Sequence, residues 1–215
     1  MAIIQEILSV GMFQSNCYLL GCEKTGEAMI IDPGDEAERI LAVVNKRRWN
    51  VQMLVHTHAH LDHMMATGEV QAETHARILL HEADRWLYEN LDEQCVPFQI
   101  SVKQPPAIDD WLSDGDSVTF GECSVNVIHT PGHSPGGCCL QCTDGDRRIF
   151  SGDVLFRGSI GRTDLWHGSE TMLLQSIQAR LLTLDDAIPV YPGHGAPTTI
   201  GEERENNLFL TPYLH

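Results

Sequence analysis

The chain has 215 residues, with 14 basic against 30 acidic side chains and a formal charge of −16. Binding a phosphate backbone needs a positive field, so this balance argues against nucleic acid as a partner. No apolar run approaches the roughly 20 residues that span a bilayer, and the opening Met-Ala-Ile-Ile-Gln-Glu-Ile lacks the basic-then-apolar order of a secretory leader. Residues 3–10, 17–21 and 27–31 read as short strands, the third ending at the turn Asp32-Pro33-Gly34. Within 36–47 the apolar residues Ala37, Ile40, Leu41 and Val44 recur at helical spacing, and 51–55 is a compact buried strand. A helix over 64–73, a strand over 76–80 and a second helix over 81–90 follow. Residues 93–108 carry Pro97, Pro105 and Pro106 and little periodicity. They read as a loop, either a lid over the site or a plain surface excursion.

Further strands are expected at 117–120, 123–128, 137–142 and 148–151, with Asp144-Gly145 as a turn. Residues 170–184 present one apolar helical face (Leu173, Leu174, Ile177, Leu181, Leu184) behind the N-cap Ser169. A last strand, 187–191, runs into Pro192-Gly193-His194-Gly195. The alternation of strands and helices predicts an α/β fold, with two packed sheets and helices outside. At this length one domain, 1–215, is the expectation, as a monomer or small homo-oligomer. Seven cysteines, with one isolated C-x-x-C from Cys139 to Cys142, read as small buried thiols rather than a redox or soft-metal pair, which points to the cytoplasm.

The richest stretch is His56-Thr-His58-Ala-His60-Leu-Asp62-His63, which follows the apolar run 51–55. So many nitrogen and oxygen donors at a strand end read as a metal site. Three later segments end in the same manner: His133 in Thr-Pro-Gly-His-Ser-Pro-Gly, Asp153 in Ser-Gly-Asp, and His194 in Tyr-Pro-Gly-His-Gly. The chemistry fits two divalent ions. His58, His60 and His133 would hold one, Asp62, His63 and His194 the other, and Asp153 would bridge them. A hydroxide between the ions would be the nucleophile, which makes Asp62 and Asp153 the catalytic carboxylates. His56 is expected as a packed or outer partner.

This set resembles the metallo-β-lactamase superfamily, whose signature is H-x-H-x-D-H followed by a distant histidine, an aspartate and a final histidine. The resemblance implies a four-layer αββα sandwich with the site at the edge where the sheets meet. Gly152-Asp153-Val154-Leu155-Phe156 and Gly161-Arg162-Thr163-Asp164-Leu165 look like the hydroxyacylglutathione hydrolase (glyoxalase II) branch. Thr198-Thr199-Ile200-Gly201-Glu202-Glu203-Arg204 and Asn206-Asn207 resemble its small single-domain relatives, which lack the additional C-terminal helical domain. The implied activity is hydrolysis of S-acylglutathione thioesters such as S-lactoylglutathione. The implied cofactors are two Zn2+, with Fe or Mn as alternatives because histidine and carboxylate accept all three. Arg162 is either a substrate clamp or a loop support paired with Asp164, and Arg157 is a weaker candidate for the same work. Tyr191 is expected in the core. The rival activities are a persulfide dioxygenase with one iron on His58, His133 and Asp153, and a lactone or β-lactam hydrolase.

Overall fold

The fold follows from strands that are apolar on both faces. The computed structural model describes residues 2–143, 145 and 147–210. Strand β2 (Ser15–Cys22) is buried along its whole length. Its side chains alternate, so Cys17 and Leu19 face one apolar layer while Tyr18 and Leu20 face another. Strand β3 (Glu27–Ile31) repeats the division, with Ile30 on one side and Met29 and Ile31 on the other. Such strands belong at the centre of a layered protein.

The first sheet runs β1 (Ile3–Val10), β2, β3, β4 (Asn50–Val55), β5 (Arg77–His81) and β6 (Asp110–Leu112) in that order. It is antiparallel through β3 and parallel from β3 to β6. Helices α1 (Ala37–Arg47) and α2 (Thr67–Thr74) cover its outer face through Ile40, Val44 and Val70. Two further short helices, α3 (Arg85–Glu89) and α4 (Leu91–Cys95), pack into the same layer through Leu87, Tyr88, Leu91 and Cys95.

The second sheet contains β7 (Ser117–Phe120), β8 (Cys123–His129), β9 (Cys138–Cys142), β10 (Arg148–Gly152), β13 (Pro189–Pro192) and β14 (Thr198–Thr199). A small hairpin, β11 (Leu155–Phe156) and β12 (Ser159–Ile160), follows β10. Phe120, Val125, Val127, Leu140 and Phe150 meet the first sheet, whereas Cys139, Ile149 and Val190 meet α5 (Glu170–Ser176) and α6 (Ile200–Asn206). Two central sheets flanked by helices, with three apolar layers between them, give the αββα sandwich that the sequence predicts.

Three of the local expectations change. The helix expected over 64–73 begins at Thr67, because Leu61–His63 forms a separate 3-10 turn that aims Asp62 and His63. The loop expected over 93–108 is helical at first: α4 ends at Cys95, and Val96–Phe98 makes one further 3-10 turn. Pro97 is tolerated there because a first-turn N–H has no helical partner to lose. The rest of that segment is strapped down, with Gln104 Nε2 donating to Tyr88 O and the Tyr88 hydroxyl donating to Pro106 O. The long helix expected over 170–184 widens after Ser176 into a π-turn, Ile177–Leu181, closed by Leu182 N–H to Ile177 O at 2.9 Å. That extra residue per turn keeps Ile177, Leu181 and Leu182 all on the core face. Of the turn expected at Asp144-Gly145, Asp144 lies outside the described residues.

All seven cysteines are buried. Cys139 packs toward α5 and Cys142 toward the first sheet, so the C-x-x-C is a strand spacing that sends its two thiols to opposite faces.

Candidate metal centre

The C-terminal ends of β4, β8, β10 and β13 meet at one edge of the sandwich, and each delivers donors there. His58, His60, His63 and His133 are buried, and Asp62, Asp153 and His194 are partly exposed. His133 Nε2 lies 3.2 Å from His58 Nε2 and 2.7 Å from His60 Nδ1. Asp62 Oδ2 lies 3.0 Å from His194 Nε2 and 3.5 Å from His63 Nε2. Two donor groups that share no residue are each close enough to hold an ion, His58, His60 and His133, and Asp62, His63 and His194; a third, Asp32, His58 and His63, overlaps both. Asp153 stands between them, with Oδ1 3.3 Å from His63 Nε2 and Oδ2 3.6 Å from both His133 Nε2 and His194 Nε2.

The residues fit divalent metal. Two imidazole nitrogens bound tetrahedrally to zinc lie about 3.3 Å apart, near the spacing of His58 and His133. His63 Nε2 and Asp153 Oδ1 are buried without a hydrogen-bond partner among the described residues. Buried polar atoms are otherwise nearly always paired, so these orphans are what a bound cation would relieve.

Ring orientation is set from behind. His133 Nδ1 donates to Arg162 O at 2.7 Å, His63 Nδ1 to Asp32 Oδ2 at 3.1 Å, and His58 Nδ1 to Thr57 Oγ1 at 3.0 Å. Each bond leaves Nε2 with its lone pair directed at the site. Asp32 also accepts Thr57 N–H at 2.7 Å and the Thr57 hydroxyl at 2.6 Å. One buried carboxylate thus braces both groups, and its backbone sits at φ 51, outside the region side chains prefer. Sequence reasoning took Asp32 only as a turn residue. Two glycines allow the close approach. A Cβ on Gly34 would stand 2.0 Å from Asp62 O, and one on Gly193 would stand 2.2 Å from Asp153 Oδ1.

Electrostatics sort the donors. Burial, followed by neighbouring imidazoles, holds His58 well below its ordinary value, and burial with His133 takes His60 down to about 3. Both are therefore neutral and ligand-competent. Burial also disfavours a charged His63, but Asp62, Asp153 and Asp32 outweigh it and raise His63 well above the usual range. His194 is raised in the same sense, because Asp62 and Asp153 overcome its burial. Burial pushes Asp62 and Asp153 up, yet the adjacent histidines prevail and hold both below the ordinary carboxylate value.

The remaining sequence candidates lie outside this cluster. His56 is fully buried, with Nε2 3.3 Å from Thr67 Oγ1 and its ring near Tyr88, in the packed position expected for it. Arg162 makes a bidentate pair with Asp164 at 2.7 and 2.8 Å on an exposed loop. Arg157 is exposed at the β11–β12 turn. Tyr191 stacks on Phe150 in the core. Asp84 and Gln94, which sequence reasoning passed over, are fully buried beside the donor loops.

A layered α/β sandwich with histidines and carboxylates gathered at one sheet edge defines a metal-dependent hydrolase, with capacity for one or two divalent ions. The profile of the metallo-β-lactamase superfamily matches residues 10–194. The chain belongs to that superfamily, among its glyoxalase II/hydroxyacylglutathione hydrolase-like members. It is 38% identical to the hydroxyacylglutathione hydrolase GloC of Haemophilus influenzae, covering 95% of this chain and 97% of that one. The structure of the B3 metallo-β-lactamase BLEG-1 superposes with a TM-score of 0.90 at 35% identity, covering 97% of this chain and all (100%) of the other. TTHA1623 in a di-iron-bound form superposes with a TM-score of 0.87 at 36% identity, covering 95% and 100%. No helix among the described residues is long and apolar enough to cross a membrane.

Proposed function

We propose that this hydrolase cleaves S-acylglutathione-type thioesters, S-lactoylglutathione being the representative substrate, at a two-ion centre. His58, His60 and His133 would hold one ion, Asp62, His63 and His194 the other, and Asp153 would bridge. The observation that carries this reading is the position of Asp153, whose two oxygens lie within 3.3–3.6 Å of nitrogens from both groups. When bound, divalent ions supply a water of lowered pKa and polarise a substrate carbonyl.

The chain's own residues do the rest. His58 and His60 offer neutral nitrogens without an acid–base step, and Asp32, Thr57 and the Arg162 carbonyl fix the rings in advance. Asp62 and Asp153, held ionised, accept hydrogen bonds from water and orient it toward the substrate. Phe156 near His194 and Trp166 near His60 place apolar walls beside both groups, suited to the acyl and thiol portions. A thiolate is a good enough leaving group to depart without a protein acid. The name of the Haemophilus influenzae relative supports the thioester, and the depth of thiol burial supports a reducing compartment, the cytoplasm.

Zinc is the proposed metal. The di-iron form of TTHA1623 makes iron the alternative, and the fit to BLEG-1 makes β-lactam turnover the second activity to assay. The test is metal quantification on protein purified without added metal, together with hydrolysis of S-lactoylglutathione and of a chromogenic β-lactam. Two ions per chain with thioester turnover supports the proposal. One iron, no hydrolysis and oxygen consumption with glutathione persulfide overturns it.

A further inference from the structure

Between β4 and the 3-10 turn, residues 56–60 belong to neither strand nor helix, yet Ala59 and His60 are buried, as is Leu61 at the start of the turn. Their peptide groups need partners away from water. His60 O accepts His63 N–H at 3.0 Å. Two buried side chains serve the flanking residues. Asp84 Oδ2 accepts Ala59 N–H at 3.0 Å, Gln94 Nε2 donates to Ala59 O at 3.0 Å, and Gln94 Oε1 accepts Leu61 N–H at 3.1 Å. The peptides on either side of His60 are therefore clamped by side chains from the α3–α4 segment, much as a neighbouring strand would hold them.

The same carboxylate reaches the other donor loop. Asp84 Oδ2 accepts the Ser134 hydroxyl at 2.8 Å and Oδ1 accepts Gly136 N–H at 2.5 Å, immediately after His133. A Cβ on Gly136 would stand 2.8 Å from the Asp84 carboxyl carbon, so the loop is seated directly on this group. Gln94 Nε2 also donates to Leu87 O at 2.7 Å, which ties the amide to its own helix pair. The Asp62, His63 and His194 group is braced elsewhere. Ser15 Oγ donates to Asp62 O, Asp32 accepts from His63, and Asn16 Nδ2 donates to Pro192 O and Gly195 O on either side of His194.

We propose that Asp84 and Gln94 are positioning residues that set His60 against His133, and so tune the three-histidine group independently of the other. The proposal rests on the reading that those three nitrogens hold an ion. A side chain that merely stabilised the fold would loosen both groups together. One that positions His60 and His133 weakens a single group, and this difference is measurable.

The experiment titrates metal-free, 15N-histidine-labelled full-length protein with Zn2+ buffered by a competing chelator. Imidazole nitrogen resonances then report each donor group separately. In Asp84→Asn an amide hydrogen faces donors that now meet a carboxylate oxygen, and in Gln94→Met all three amide contacts are lost. Both variants are expected to shift the His58, His60 and His133 midpoint to about tenfold higher free Zn2+, with His63 and His194 responding at the wild-type midpoint. Wild-type midpoints for both groups, or equal weakening of both, would overturn the proposal. Should Asp84→Asn fail to fold, Ser134→Ala removes one of its three donors and is expected to give a smaller shift confined to the same group. Wild-type protein in which no imidazole responds to Zn2+ would instead sink the metal reading, before any variant is compared.

Discussion

Asp32 holds His63 by a hydrogen bond of 3.1 Å from Nδ1 to Oδ2, and the same oxygen takes the Thr57 hydroxyl that supports His58. One carboxylate therefore sets a ring in each donor group. Replacing it by asparagine keeps the size but removes one acceptor oxygen. Loss of such an outer partner typically lowers metal affinity about 10–100-fold. Asp32→Asn is expected to weaken metal binding at both donor groups, measured by chelator competition, in contrast to the single-group effect of Asp84→Asn. Unchanged affinity at both groups would show that Asp32 only shapes the turn.

In the metal-free protein Asp62, Asp153 and Asp32 outweigh burial and raise His63 well above its ordinary value, which favours its protonated form. An ion must displace that proton, so metal affinity should rise with pH. Calorimetry in buffers of differing ionisation enthalpy should register net proton release on loading this group, to which His194, raised in the same sense, also contributes. A binding heat independent of buffer would contradict the arrangement.

The metal-free protein should also lose stability on mild acidification. Burial holds His56 at about 4 and His60 at about 3, while the unfolded chain protonates near 6.5. A depressed folded value means that the unfolded state binds more protons in that window. The stabilising contribution is complete above 6.5 and is lost as pH falls toward 4. His63 and His194, raised instead, contribute fully below 6.5 and lose their contribution as pH climbs through their folded values. Urea midpoints recorded with chelator present should therefore fall on both sides of a maximum. His56→Gln should flatten the acid limb alone. An unaltered acid limb would remove His56 from this account.

Arg162 offers a cleaner choice between support and substrate contact. Its guanidinium is engaged by Asp164 through two hydrogen bonds in an exposed loop, where solvent screens the pair. Arg162→Ala should leave the melting temperature and metal content unchanged. Unchanged KM for S-lactoylglutathione completes the expectation. A rise in KM with constant kcat would return Arg162 to the substrate.

The donor residues were legible because histidine and aspartate at strand ends, beside turn glycines, are costly arrangements with few other uses. The central strands were legible because short continuous apolar runs bounded by turn residues suit strands buried on both faces. Asp84 and Gln94 were not, since Glu-Ala-Asp-Arg and Asp-Glu-Gln-Cys look like solvated helix surface. Their burial depends on peptide groups of residues 59–61, which lie far away in the chain until the fold forms. The helix α6 carried a signal that went unused. Thr199 Oγ1 accepts Glu202 N–H at 3.2 Å, an N-cap spelled out as Thr-x-x-Glu. The short strands β11, β12 and β14 have two residues each, too few for any periodicity.

Asn16 reaches Pro192 O and Gly195 O across separations of 176 and 179 positions, and β13 pairs in parallel with β10. A chain leaving the ribosome shows its three-histidine group once residue 133 is out, but His194 arrives last and needs a partner made near the start. Under the two-ion reading, the second donor group would therefore be complete only after residue 194 has emerged. Until then the nascent chain offers only the three-histidine group of these two to a metal.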